Sequence, residues 1–146
     1  MSKYVCAVCG YIVLTQEVPD NCPVCYSPKD KFSLDENAIK LPVDSDNHTE
    51  LEKKHIPQVS VKKSCSIIEG CNDIIVKIGE ITHPMQPEHS ITSVDFYIDD
   101  QYVSRVMLTP EKLNPAVVLH LKEVSGKLGA VSHCNMHGSW ISELEL

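Results

Sequence analysis

Two cysteine pairs, "CAVC" (Cys6, Cys9) and "CPVC" (Cys22, Cys25), stand twelve residues apart near the start of the chain. Each C-x-x-C lets a tight loop present two thiolates to one ion, and the intervening loop brings the pairs together for tetrahedral S4 coordination. By ligand count that set suits iron or zinc. A second group of donors is scattered. "HCNMHGSW" sets Cys134 three positions before His137, "THPMQPEHSI" carries His83 and His89, and "KKHIPQV" adds His55. Cys134 and His137 alone would be no more than a fragment of a structural zinc site. Four His and one Cys are one donor too many for closed tetrahedral zinc, and they match four imidazoles around a metal with a thiolate on its axis. Such a thiolate pushes electron density onto iron and helps activate a ligand bound opposite it. Five protein donors leave a sixth position open, which on a redox metal invites a small substrate.

Positioning these donors falls to short strands. "ITSVDFYIDD" alternates, with Val94, Phe96 and Ile98 on one face and Asp95, Tyr97 and Asp99 on the other, and "QYVSRVML" continues the period after a turn near Asp100. Further strands are expected at 56–63, 73–81, 116–123 and 128–133. The expected fold class is mainly β, with a small metal-binding domain followed by an immunoglobulin-like β-sandwich. Residues 1–36 hold few large apolar side chains, so a metal must help to hold them together. The stretch "LPVDSDNHTELE" lacks periodicity and carries four acids and no base, so 37–52 reads as an acidic linker and 53–146 as the sandwich domain.

The composition narrows the classes. A formal charge of −7 argues against a nucleic-acid partner, and no apolar run approaches the roughly 20 residues of a membrane helix. The start "MSKYVCAVCG" has no apolar stretch followed by a cleavage site, so a cytoplasmic location is expected. In that compartment the seven cysteines are better read as reduced and metal-binding than as disulfides.

The motifs carry two resemblances. "YVCAVCGYI", "CPVC" and "PKDKF" resemble a rubredoxin, in the short-loop form appended to rubrerythrins. That implies one iron held by Cys6, Cys9, Cys22 and Cys25 as an electron-transfer centre, with a zinc ribbon as the alternative. "KHIP", "HPMQPEH" and "CNMHGSW" resemble the ligand motifs of superoxide reductases, the desulfoferrodoxin and neelaredoxin family. This implies a second iron with His55, His83, His89 and His137 as equatorial ligands and Cys134 as the axial one, two irons per chain in all. Lys54 matches the family's lysine that attracts superoxide and helps peroxide leave. The implied activity is one-electron reduction of superoxide to hydrogen peroxide. The implied donor is a rubredoxin or rubredoxin reductase, and the implied assembly a homodimer.

Two departures stand out. Many members place glutamate just before that lysine, where it can cap the ferric iron; here Lys53 holds the position and Glu52 lies one residue earlier. The N-terminal module is rubredoxin-like rather than the usual desulforedoxin-like module with adjacent cysteines. Two other functions compete: an electron carrier or binding module with structural metals, and a sensor of peroxide or nitric oxide using Cys65 and Cys71 as output. The simplest reading of Cys65 and Cys71 is a pair of free thiols flanking a hairpin, and His48 and His120 read as surface or packing residues. His133 stands next to Cys134, where it could tune the thiolate. Trp140 and Met85 are expected to pack around the ligand loops.

Overall fold

The computed structural model describes residues 1–146. Its strands are β1 (Lys3–Cys6), β2 (Phe32–Asp35), β3 (Pro57–Lys62), β4 (Cys71–Ile78), β5 (Ile91–Ile98), β6 (Gln101–Met107), β7 (Ala116–Lys122), β8 (Lys127–Cys134) and β9 (Gly138–Glu145), with one α-helix, α1 (Glu50–His55). Strands β3-β4-β7 form one sheet, β6-β5-β8-β9 another, and β1-β2 a separate antiparallel pair. The two larger sheets face each other across Ile74, Val76, Ile78, Val94, Phe96, Val117, Leu128 and Ala130, the core of an immunoglobulin-like sandwich. No helix is long and apolar enough to cross a membrane.

Alternation along β5 places Val94 and Phe96 in that core, as the sequence predicts. The opposite face is not solvated: Asp95 and Tyr97 are both fully buried. Tyr11, Ile12, Val13, Leu14, Ala38 and Ile39 cover it, forming a second core with Tyr97 and Val131. Tyr97 donates from its hydroxyl to the Ile12 carbonyl at 2.7 Å, and Tyr11 stacks on its ring with centroids 5.9 Å apart. The N-terminal module, poor in apolar residues, thus shares a core with the outer face of the four-stranded sheet, which supplies the burial it lacks alone.

Residues expected as a linker also carry structure. Ile39 is fully buried, and Lys40 donates its amide to the Ser139 carbonyl at 2.8 Å. Thr49 caps α1 in a reciprocal box: its hydroxyl accepts from Glu52 N, and the Glu52 carboxylate accepts from Thr49 N. The signature T-x-x-E stands in the sequence, but the six-residue helix is too short to show apolar periodicity. Strand β9 is a further element beyond those expected, pairing residue by residue with β8.

Candidate metal centres and the link between them

The first donor set comes from two turns of like geometry. Gly10 N donates to Cys6 O and Tyr26 N to Cys22 O, each at 2.9 Å. Gly10 and Tyr26 take positive φ, 79° and 63°, which turns the chain back so that both sulfurs of a pair face one point. Across the pairs, Cys6 Sγ lies 3.7 Å from Cys25 Sγ and Cys9 Sγ 3.6 Å from Cys22 Sγ. A tetrahedron with metal–sulfur bonds of about 2.3 Å has edges of about 3.8 Å, so the four thiols fit a single ion. Hydrogen bonding from Ser27 brings the Cys25 thiol down to about 6, toward the thiolate a metal requires.

The second set is assembled from four separate segments. His55 ends α1, His83 and His89 sit on the loop between β4 and β5, Cys134 ends β8, and His137 lies in the β8–β9 turn. The ligating atoms of His55, His89, Cys134 and His137 lie within 4.8 Å of one another. His83 stands outside that tight set, with its Nε2 3.2 Å from His55 Nε2 and its ring centroid 4.7 Å from that of His89.

Tautomers decide what these rings offer. His55 Nδ1 lies 2.6 Å from the Leu51 carbonyl and His83 Nδ1 2.7 Å from the Pro84 carbonyl. A carbonyl only accepts, so both Nδ1 atoms carry the hydrogen and both Nε2 atoms hold bare lone pairs. Those lone pairs face each other across 3.2 Å, an arrangement that repels unless a cation lies beside both. Imidazole–metal bonds of about 2.1 Å at right angles put neighbouring nitrogens about 3.0 Å apart. The same 3.2 Å separates His137 Nδ1 from His89 Nε2. Burial holds His55 below its ordinary value and pushes His83 down to about 4, so both are neutral ligands near pH 7. Cys134 Sγ accepts the His137 amide at 3.4 Å.

Close backbone approaches hold the four segments in place. A Cβ on Gly79 would lie 2.3 Å from the Lys53 carbonyl oxygen, so only glycine lets the end of β4 nest against α1. Ile81 N then donates to Lys53 O at 3.1 Å, and the buried Ser132 hydroxyl donates to His55 O at 2.9 Å. Asn135 ties the other two segments together: its side chain accepts from Ser90 N at 2.9 Å and donates to Glu88 O at 3.1 Å. Trp140 packs its ring 5.5 Å from that of His55 and donates to the His137 carbonyl at 3.1 Å. Met85 packs against the sandwich core.

Several charged residues border this set. Lys54, in the last turn of α1, is 38% exposed and lies 3.5 Å from Glu50. Burial and then the His137 charge depress His89, and Lys54 adds to the effect, which places its ammonium within electrostatic reach of the rings. Lys40 is a cation that motif reasoning misses: its Cε would stand 3.1 Å from a Cβ on Gly138, beside His137. Glu52 turns away from the site's needs. Its two oxygens accept from Val43 N (3.1 Å) and Thr49 N (2.8 Å), bonds that hold the carboxyl below its usual range.

Between the two sets runs a continuous hydrogen-bonded link. Arg105 donates from Nη1 to the Cys9 carbonyl at 2.6 Å and from Nη2 to Asp95 Oδ2 at 2.8 Å, with a second bond from Nε to Oδ1. Asp95 Oδ2 in turn lies 2.9 Å from His133 Nε2, and His133 is bonded covalently to Cys134. Burial pushes the Asp95 carboxyl up, but the hydrogen bonds from Arg105 and His133 outweigh it and hold it below the ordinary carboxylate value. Asp95 and Arg105 are direct cross-strand partners in the β5–β6 hairpin. A register shift between Phe96 and Tyr97 brings Asp95 and Arg105 opposite each other, so neither their pairing nor the contact with Cys9 can be read from alternation alone.

Fold and sites together define a two-centre redox metalloprotein, a β-sandwich with a five-donor His/Cys set joined to a four-cysteine module. Residues 47–143 match the family model described as desulfoferrodoxin, and residues 4–33 match that of the rubrerythrin, rubredoxin-like domain. A superoxide reductase of Pyrococcus abyssi is 34% identical over 105 residues, 64% of this chain and 88% of its own length. A desulfoferrodoxin homolog of Archaeoglobus fulgidus is 30% identical over 142 residues, 97% of this chain and 96% of its own. The solved superoxide reductase from Nanoarchaeum equitans superposes with a TM-score of 0.55 at 29% identity, over 64% of this chain and 94% of that one. The chain belongs to the desulfoferrodoxin family. Iron is the cofactor of that family and of the rubredoxin-like domain, and both donor sets fit it.

Proposed function

We propose that the chain is a superoxide reductase that resupplies its own electrons, with residues 1–36 as the donor module, 37–52 as the connection and 53–146 as the reductase domain. His55, His83, His89, His137 and Cys134 hold the iron of the second centre; Cys6, Cys9, Cys22 and Cys25 hold that of the first. Held there, iron would supply the one electron that, with two protons, takes superoxide to hydrogen peroxide. The observation that carries this reading is the facing pair of imidazole lone pairs on His55 and His83, which adds a fifth donor beside the four-donor cluster of His55, His89, Cys134 and His137.

The protein's own residues do the rest. Superoxide is an anion approaching a chain of net charge −7, so a local cation must overcome the global field. Lys54 provides it from the turn that carries His55, and Lys40 adds a second positive charge. A lysine about 4 Å from a bound anion is worth on the order of 4 kcal/mol at an effective dielectric of 20, and exposure of Lys54 to solvent lowers that figure. The Trp140 indole covers the His55 ring and keeps water from that side. The His137 amide on Cys134 Sγ draws density from the thiolate and tempers its push on the metal. Electrons reach the second donor set through Cys9, Arg105, Asp95 and His133, within one chain.

Both Glu52 oxygens are engaged, one in the α1 cap with Thr49 N and one with Val43 N, and Lys53 stands where the family's glutamate would be, which supports a ferric centre without a carboxylate cap. The external donor on this reading is a rubredoxin or rubredoxin reductase, the setting cytoplasmic and the assembly a homodimer. The test is an anaerobic pulse of known superoxide onto the reduced, iron-loaded protein. One peroxide per superoxide without dioxygen supports reduction; half that peroxide with matching dioxygen means dismutation and overturns it.

A further inference from the structure

A third set of donor atoms converges at the far end of β4 from the candidate active site. Cys71 opens that strand and Ile78 closes it, so the two ends lie roughly 20 Å or more apart at about 3.4 Å per residue. Cys65 lies just upstream, and its amide donates to the Cys71 carbonyl at 2.8 Å, which closes the loop between them. Asp73 follows on β4. His120 comes from β7, where it is the direct cross-strand partner of Asp73.

Their side chains meet at one place. His120 Nδ1 lies 3.4 Å from Cys65 Sγ, 3.7 Å from Cys71 Sγ and 2.8 Å from Asp73 Oδ1. All four donor atoms fall within 4.8 Å of one another. A single Nδ1–H cannot serve three acceptors. Asp73 Oδ1 is buried and has no hydrogen-bond partner, its 2.8 Å neighbour being the His120 ring nitrogen that the two sulfurs also approach. One orphaned carboxylate oxygen, two sulfurs and an imidazole nitrogen share a centre that a cation would satisfy.

The dimensions agree. Metal–sulfur bonds of about 2.3 Å and metal–nitrogen bonds of about 2.1 Å give tetrahedral S–N edges of about 3.6 Å, between the two observed. The corresponding N–O edge is about 3.3 Å, so the carboxylate would move outward by about half an ångström on binding. Cys65 Sγ also accepts the Ile67 amide at 3.3 Å, as Cys134 Sγ accepts that of His137 at 3.4 Å. Such a bond stabilises the thiolate form that binds metal. His120 is exposed, which leaves the centre a path from solvent.

We propose that Cys65, Cys71, Asp73 and His120 form a third metal site, for a zinc-type divalent cation. Two thiolates, one imidazole and one carboxylate in a closed tetrahedral set suit borderline-soft zinc, and the absence of a spare position makes the role structural. The ion would staple the 63–70 loop to the β3-β4-β7 sheet.

The experiment uses the full chain with both irons loaded, kept anaerobic and reduced, equilibrated with zinc, desalted, and assayed for zinc and iron by elemental mass spectrometry. The expected result is one zinc per chain beside two irons, with tetrahedral thiolate–cobalt absorption when cobalt(II) replaces zinc. Cys65→Ser and His120→Gln lose the zinc while keeping both iron spectra, weakening affinity by more than the roughly 10–100-fold typical of outer-shell changes. If Cys65→Ser fails to fold, the exposed His120→Gln decides. No retained zinc in the parent protein, or zinc retained undiminished in the folded variants, overturns the site. So does a Cys65–Cys71 disulfide whose reduction yields no zinc binding.

Discussion

The two iron centres are built in opposite ways. Cys6, Cys9, Cys22 and Cys25 arise from two local turns, and every donor is alike. His55, His83, His89, Cys134 and His137 come from four segments spread over more than half of the chain, and their common centre exists only once the sandwich has folded. A closed set of identical thiolates can hold and pass an electron but offers no place for a substrate. The mixed set has five donors and depends on scaffold residues that never touch the metal: Gly79, Ser132 and Asn135. Arg105 is where the two designs meet, with one guanidinium nitrogen on the Cys9 carbonyl and two on Asp95.

That contrast can be broken most forcefully at the meeting point. Arg105→Met leaves the Asp95 carboxylate buried without its main partner, which costs about 3–5 kcal/mol. Denaturant unfolding measures the loss. Stopped-flow absorbance should show electron transfer from the first centre to the second slowed by ~10-fold or more, the equivalent of about 1.4 kcal/mol of barrier. Arg105→Lys keeps the charge but loses the bidentate pair, and falls between the two. Equal transfer rates in all three proteins would remove Arg105 from the route.

Gly79→Ala sharpens the contrast from the other side. The new methyl must displace the backbone that carries Lys53 and Lys54, at a cost of about 1–3 kcal/mol. The second centre should lose iron and its spectrum while the first keeps both, as metal analysis and absorbance would reveal. Equal loss at both centres would mean that the scaffold is shared more widely than described. The smallest effect belongs to Lys54→Ala: the second-order rate with superoxide should fall by roughly 10-fold and lose much of its dependence on ionic strength, with iron content unchanged. Pulse radiolysis at several salt concentrations measures it.

Sequence legibility followed the same divide. The C-x-x-C spacing announces the first centre because its geometry is local. Alternation reveals β5 and β6, and the strands expected at 116–123 and 128–133 lie close to β7 and β8. His55, His89 and His137 come together with Cys134, and His83 meets His55, through long-range contacts that no spacing encodes. Alternation puts Asp95 and Tyr97 on the face opposite Val94 and Phe96, but it does not reveal the second layer that covers that face. Lys40 and Ile39 lie in a segment whose acidity suggests a linker, and their roles depend on contacts with β8 and β9 made a hundred residues later. His120 and Cys65 look unremarkable until β4 and β7 pair.

The central claim is that one chain both turns over its substrate and refills the site from within. It is tested most directly by mixing the fully reduced protein anaerobically with less than one equivalent of superoxide and following the spectra of both centres over a range of protein concentrations. The account predicts that the first centre is oxidised after the second, with a first-order rate that does not change with protein concentration. A rate rising in proportion to protein concentration would contradict it, because electrons would then be passing between molecules rather than through Arg105, Asp95 and His133.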